Sequence, residues 1–362
     1  WLLFEKLRGR TDCLVMTSGN ISEEPLICYN NKALEKLGTA ADAFVMHNRD
    51  IYRQVDDSIV HFINNAPVSL RRSRGYVPAP IIIDKIMSVD ILAAGGDMKN
   101  TFCLGKVNQL ICSEHIGDLE DAEVYHHYIG SIEHLKQLFE VEPEIVVCDL
   151  HPGYFSTAYA KSLKNVKLIQ VQHHWAHIAS VLAEHNIEGP AIGLECDGTG
   201  YGTDGAIWGC ECLIADLQKF ERFGHLDYYI LPGGDKASKE AIRSVLGLLK
   251  KTFPDFEIKK YQWLLERIEP NIEKQKLIVQ QIDKQINTAQ TSSLGRVFDA
   301  VAAMIGLGSY NHHEAQLPMA AEAIADPDIE EYYQFNIKDD IRPALMDLRP
   351  MFKEIIEDIK SD

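Results

Sequence analysis

The chain has 362 residues, more than one hydrophobic core comfortably serves, so two domains are expected. Hydrophobic residues make up 46% and charged residues 25%, an ordinary globular balance, and no apolar run is long enough to span a bilayer. With 53 acidic against 36 basic residues the net charge is −17, which argues against broad nucleic-acid binding but leaves room for a local basic pocket.

In chain order, residues 1–80 open with "LVMTSGN", which reads as a strand running into a polar loop. "AFVMHNRDI", "SIVHFIN" and "PVSLRRSRG" follow as further short strands. Pro78 and Pro80 then disfavour helix and suit an extended linker over 81–88. From residue 89, "VDILAAGGDMKNTFCLGKVNQLICSEHIG" gives a strand, a Gly-Gly turn and two β-rich runs, a hairpin able to hold a phosphate. Helices and strands alternate next: "HHYIGSIEHLKQLFE", "EIVVCDL", "STAYAKSL", "KLIQVQ", "HHWAHIASVLAEH", "AIGLECDG" and "GAIWGCECLIADL". That alternation indicates an α/β layer fold. Between about 236 and 305 the pattern turns mainly helical, as in "EAIRSVLGLLKK" and "GRVFDAVAAMIGL". The acidic stretches "IADPDIEEYY" and "FKEIIEDIKSD" read as solvated surface.

The eight cysteines include no C-x-x-C pair, and the lone C-x-C, Cys210 and Cys212, lacks a second pair to complete a zinc site. Scattered thiols fit a reducing cytoplasm. In "VQHHWAH", His173 and His177 are four apart and share one helical face, so both can reach one ion. His174 points roughly 100° away from that face, as helical geometry dictates. Two imidazoles need a carboxylate to hold a metal firmly, and Asp197, ending the next strand, is placed to supply it, because ligands gather at strand ends in α/β sheets. The same pair could simply decorate an exposed helix. The run Asp197-Gly198-x-Gly200-x-Gly202 lets backbone approach a phosphate, or makes a hairpin turn.

Taken together, "MTSGNISEEPL", "HNRDIYRQVDDSIV", "RRSRGYVPAPI", "AAGGDMKNTFCL", "EHIGDLED", "DLHPGYFST", "VQHHWAHIAS", "DGTGYGTDGAIWGCE", "LPGGD" and "SSLGRVFDAVAAMIGL" resemble, in order and spacing, the HypF carbamoyltransferases of [NiFe]-hydrogenase maturation. The resemblance covers nearly the whole chain. It implies that residues 1–80 are the C-terminal part of a YrdC-like α/β domain and that 89–362 form a Kae1-like domain of the actin/hexokinase-type duplicated α/β architecture. It also implies an internal piece of a longer protein, without the acylphosphatase domain, the zinc-finger pairs with their zinc, the front of the YrdC-like domain, and C-terminal motifs carrying a further Asp ligand.

The implied chemistry starts from carbamoyl phosphate and ATP, which yield carbamoyl-adenylate. The carbamoyl group then passes to the C-terminal Cys of the partner HypE, as precursor of the cyanide ligands. In that frame His173, His177 and Asp197 hold iron or zinc. Lys99 and Asn100, after Gly95 and Gly96, are placed as catalytic residues beside the phosphate, and Gly198, Gly200 and Gly202 form a second phosphate loop. Gly233, Gly234, Asp235, Asp299 and Glu314 line the nucleotide pocket. Ser18, Asn20, Arg72 and Arg74 contact the nucleotide in the first domain, and His115 and His151 give supporting hydrogen bonds.

Read without the resemblance, Ser18 and Asn20 could cap a loop, "RRSRG" could be an exposed basic turn, and Asp299 could be solvent surface. Asp50 and Ala315 stand where the family usually has Pro and Gly. The competing functions are an O-carbamoyltransferase acting on a sugar hydroxyl, and a non-catalytic scaffold that binds HypE. Transfer to tRNA is disfavoured by the acidic balance.

Overall fold

The computed structural model describes residues 2–21 and 24–361, so Ser22 and Glu23 of "MTSGNISEEPL" lie outside the described residues. The backbone separates into two compact units, one running to Gln170 and one from Val171. Among the described residues no helix is long and apolar enough to cross a membrane.

The first unit starts with helices α1 (Leu2–Leu7) and α2 (Asn30–Leu37), followed by the antiparallel hairpin β1 (Ile59–Ile63) and β2 (Ala66–Arg71). Its two-residue turn is Asn64-Asn65, both at positive φ, a conformation that asparagine tolerates and that matches the twist of paired strands. Two stretches expected as strands, "LVMTSGN" and "AFVMHNRDI", are irregular instead. Val15, Met16 and Val45 stand almost wholly exposed, and β propensity without a neighbouring strand cannot satisfy the backbone.

A six-stranded sheet follows, in the order β3-β6-β5-β4-β7-β8. Its strands are β3 (Ile81–Ile82), β4 (Ile91–Ala93), β5 (Cys103–Lys106), β6 (Gln109–Cys112), β7 (Ile145–Asp149) and β8 (Lys167–Val171). Strands β4, β5 and β6 form an antiparallel meander, and β7 lies parallel to β4. The stretch expected as linker thus contributes Ile81 and Ile82 to the sheet edge. Helix α3 (Ala122–Phe139) supplies the crossover to β7. Asp121 caps it by accepting the Glu123 and Val124 N–H groups, and Val124, Tyr128, Ile132 and Leu135 recur at helical spacing. They pack with Leu92, Phe102, Leu104 and Val146 into this unit's core. Helix α4 (Phe155–Ser162) follows β7, its first turn held by Asp97, whose carboxylate accepts the Phe155 and Ser156 N–H groups.

The second unit begins with α5 (His173–Glu184). Strands β9 (Ala191–Tyr201), β10 (Ile207–Ala215), β11 (Phe220–Leu226) and β12 (Tyr229–Pro232) come next. The helical region is α6 (Lys236–Lys239), α7 (Ala241–Thr252), α8 (Gln262–Ile268) and α9 (Ile272–Lys284), then β13 (Thr288–Thr291) and α10 (Leu294–Met304). The unit ends with α11 (Gln316–Ile324), β14 (Asn336–Lys338), β15 (Ala344–Asp347) and α12 (Arg349–Ser361). The sheet order is β12-β13-β10-β11-β15-β14, with β9 paired antiparallel to β10. Strand β13 interrupts what reads in sequence as a continuous helical region. Helices α7 and α10 bury Val245, Leu246, Leu249, Ala300 and Ala303 in the larger core. A smaller cluster, Ile178, Leu182, Trp208 and Leu213, seats α5 on the β9–β10 pair. Each unit is therefore a mixed sheet carrying helices, the α/β architecture read from the alternation.

Candidate functional site

Three side chains of the kinds that can ligate a metal converge in the second unit. Helix α5 starts at His173 because Gln172 caps it, its side-chain oxygen accepting the Trp175 N–H at 2.8 Å. Trp175 in turn donates its ring N–H to the Asp216 carbonyl at 2.8 Å. With Ile178 and Leu182 seated in the apolar cluster, the first turn cannot roll. His173 and His177 then lie one turn apart with their Nε2 atoms 3.2 Å from each other. Asp197, on β9, brings Oδ2 to 3.5 Å from His173 Nε2. One ligand atom from each of the three residues lies within 4.8 Å of the others. An ion about 2.1 Å from each ligand would keep the ligand atoms roughly 3–4 Å apart, so this donor set fits a first-row divalent metal. His177 is exposed and the other two half-buried, which leaves one side open to a further ligand.

Burial alone would raise the Asp197 carboxyl, but hydrogen bonding with His173 and His174 outweighs it and holds the group far below the usual carboxylate range. The part played by His174 corrects the sequence reading. It was expected to face away, yet it is fully buried with Nε2 3.5 Å from Asp197 Oδ2. Its Nδ1 lies 3.2 Å from Gln172 Nε2. The helical angle between neighbours is as expected, but β9 runs past the start of α5, so Asp197 stands where both rings reach it. Gly200 makes this possible: a Cβ there would stand 2.2 Å from His174 Cε1 and 2.9 Å from His173 Cδ2.

Gly198 and Gly200 are strand residues of β9, and Gly202 opens the turn to β10, where a Cβ would meet Trp208 Nε1 at 2.2 Å. Side-chain packing therefore demands glycine at 200 and 202. Gly198 gives its carbonyl to the Ser293 hydroxyl, which also caps α10. Gly233, Gly234 and Asp235 form the turn between β12 and α6. At Gly233, with φ 104°, a side chain would strike the Arg243 guanidinium. Asp299 is not surface: it is fully buried, accepts from Asn311 at 2.9 Å and pairs with Arg296 at 2.6 Å. Burial raises its carboxyl against those two partners. Arg296 and Asn311 both donate to the Ser238 carbonyl on α6, which links Asp299 to the Gly233–Asp235 turn. Glu314 is exposed.

In the first unit, Ser18, Asn20 and Lys99 line a cavity of about 300 Å³, together with Asp56, Arg71, His115 and Asp118. Lys99 sits at φ 47° with its N–H on the Asp118 carboxylate at 2.6 Å. Asn100 is buried and braces the loop, its amide donating to the carbonyls of Ala94 and Gly96. Gly95, at φ 76°, passes so near the Thr101 carbonyl that a Cβ would stand 2.2 Å from it, while Gly96 has open space beside Tyr154. The structure places Arg72 and Arg74 elsewhere than the cavity wall. Arg72 donates to the Tyr76 and Ala79 carbonyls, and Arg74 to that of Val55. Arg71 is the arginine that faces the cavity.

The supporting hydrogen bond expected of His115 is present, with Asp56 as a partner the sequence did not name, and the network around Glu114 was not foreseen. His115 Nδ1 lies 2.9 Å from Asp56 Oδ2, and this hydrogen bond lowers the Asp56 carboxyl. Glu114, wholly buried, is gripped by Arg53, accepts from Ser131 at 3.1 Å and lies 3.5 Å from His127. Desolvation opposes its charge, but His127 and Arg53 prevail and bring its carboxyl from 4.5 down to about 2. His151 Nδ1 accepts the Gly153 N–H at 3.2 Å.

The fold and these sites define a Kae1-like α/β protein preceded by a YrdC-like stretch. Residues 193–362 match the family described as carbamoyltransferase, Kae1-like domain, second subdomain. Residues 87–184 match the HypF Kae1-like domain, and 2–73 the Sua5/YciO/YrdC family described under telomere recombination. Carbamoyltransferase HypF of Synechocystis sp. is 38% identical over 99% of this chain and 48% of its own length. A crystal structure of full-length HypF in the phosphate- and nucleotide-bound form superposes with a TM-score of 0.87 at 45% identity, covering 94% of this chain and 44% of that one. The crystal structure of T. kodakarensis HypF gives 0.84 at 34% identity, covering 96% and 46%. The chain belongs to the carbamoyltransferase HypF family, and it spans about half the length of the relatives it matches.

Proposed function

We propose that this chain carries the carbamoyl-transfer step of a HypF carbamoyltransferase in [NiFe]-hydrogenase maturation. In this reading residues 1–80 close a YrdC-like domain that makes carbamoyl-adenylate from ATP and the carbamate released from carbamoyl phosphate. Residues 89–362 pass the carbamoyl group to the C-terminal cysteine of HypE in the cytoplasm. The observation that carries it is the convergence of His173, His177 and Asp197 in a chain whose Kae1-like family match spans both flanks of that site.

His173 and His177 offer Nε2 lone pairs and Asp197 a charged oxygen, the donor set of iron(II) or zinc. The bound ion would supply Lewis acidity toward the acyl-adenylate. His174, itself contacted by Gln172, sits against Asp197, so the site is shaped before substrate arrives. The thiolate sulfur attacks the carbamoyl carbon, the carbon–oxygen bond to phosphate breaks, and AMP leaves with the electron pair. Lys99, with Ser18, Asn20 and Arg71 around the same cavity, supplies positive and hydrogen-bonding groups for phosphate in the first unit.

The test is the intact mass of HypE after incubation with this chain, iron(II) or zinc, and freshly made carbamoyl-adenylate. One carbamoyl group added to the C-terminal cysteine is expected, and none with His173→Ala. Unmodified HypE in the presence of metal-loaded protein would contradict the proposal.

A further inference from the structure

Strands β5 and β6 place two cysteines directly opposite each other. Cys103 pairs with Cys112 in the antiparallel register, and their sulfurs are 3.8 Å apart. The neighbouring pair, Phe102 and Ser113, exchanges a main-chain hydrogen bond, Ser113 N–H to the Phe102 carbonyl at 2.8 Å. In an antiparallel ladder the next pair is then the non-hydrogen-bonded kind, with Cα atoms about 4.5 Å apart. That lies within the Cα range a disulfide spans, roughly 4.4–6.8 Å. Both cysteines are half-buried. The positive charge of Arg72 acts on both sulfurs.

We propose that Cys103 and Cys112 form a reversible disulfide, a redox modification site separate from the metal centre. The oxidant is a low-molecular-weight disulfide such as glutathione disulfide. Cys112 thiolate attacks one sulfur of the oxidant, its S–S bond breaks, and one glutathione leaves as thiolate. Cys103, losing its proton to solvent, then attacks the Cys112 sulfur and expels the second glutathione. Two protein thiols are oxidised and one external disulfide is reduced to two thiols.

The two cysteines are not equivalent. The sulfur–sulfur contact with Cys103 lowers the Cys112 thiol from 9.0 to about 7, against burial and with help from Arg72, whereas the same contact and burial push Cys103 well above its ordinary value. An attacking thiol is fastest when its pKa lies near ambient pH, so Cys112 leads and Cys103 resolves. The bond would staple the start of β5, three residues after Asn100, to the end of β6, three residues before His115. It would thereby restrain the two loops that bring Lys99 and His115 to the first unit's cavity.

The reduced chain is incubated with glutathione disulfide at pH 7.5, quenched in acid, alkylated and mapped by mass spectrometry. A linked Cys103–Cys112 peptide is expected, reverting with dithiothreitol. Cys103→Ser should stop at a glutathione adduct on Cys112, and Cys112→Ser should leave Cys103 unmodified. Alkylation of Cys112 should show a half-maximal rate near pH 7, moving upward in Arg72→Met. Glutathione adducts on other cysteines with no Cys103–Cys112 link would overturn the proposal. So would Cys103 reacting unchanged in Cys112→Ser.

Discussion

Among the described residues before Leu92 not one hydrophobic side chain is fully buried, whereas the chain beyond it builds three apolar clusters. In the earlier region β1 and β2 expose both faces, Phe62 and Leu70 being 68% and 66% accessible. What fixes that region to the sheet following it is largely polar: Arg53 on buried Glu114, Asp56 on His115, and Lys36 between Glu24 and Glu123. The later region is held by packing and answers to lost volume. The earlier one is held by charge and answers to pH and to charge removal. Two-faced exposed strands also want a covering partner, since an unpaired apolar edge invites association.

A pair of truncations should separate the two regions most strongly. Phe102→Ala, in the first unit's core, should cost about 3–5 kcal/mol, as removal of a buried aromatic does. Phe62→Ala should cost no more than about 0.5 kcal/mol, the range of surface changes. Urea unfolding of the two variants measures both, and equal losses would abolish the distinction.

A smaller effect is expected from Arg53→Met, which strands the buried Glu114 charge and should cost roughly 3 kcal/mol. Because the folded-state carboxyl lies at about 2 and its ordinary value is 4.5, Glu114 contributes fully above pH 4.5. That contribution is lost as pH falls from 4.5 toward 2, where the unfolded chain binds the extra proton first. Stability followed by circular dichroism across that window should fall less steeply in Glu114→Gln than in the parent chain.

The smallest effect lies in the later region. Ala315 sits at φ 56°. Relieving that left-handed conformation with Ala315→Gly should stabilise by roughly 1 kcal/mol, visible as a raised Tm.

Elements whose pattern is local were legible: α3, β7, α4, β8 and α5 all stand where periodicity puts them. Strands that depend on a neighbour were not, as residues around Val15 and Val45 show. The convergence of His173, His177 and Asp197 was readable because i, i+4 spacing and the strand-end rule are both short-range signals. The burial of His174 against Asp197 was hidden because a helical angle does not reveal which strand crosses the helix start. Arg53 and Glu114, 61 positions apart, left no sequence signal at all.

His173, His177 and Asp197 are proposed to make one metal site with His174 beneath it. Titration of the purified chain with zinc or iron(II), followed by calorimetry, tests it most directly. One ion per chain is expected, abolished by His173→Ala, His177→Ala or Asp197→Ala. In His174→Ala binding should weaken by about 10-fold, the usual cost of losing a group that orients a ligand. Full-affinity binding in any of the three ligand variants, or equal abolition by His174→Ala, would contradict it.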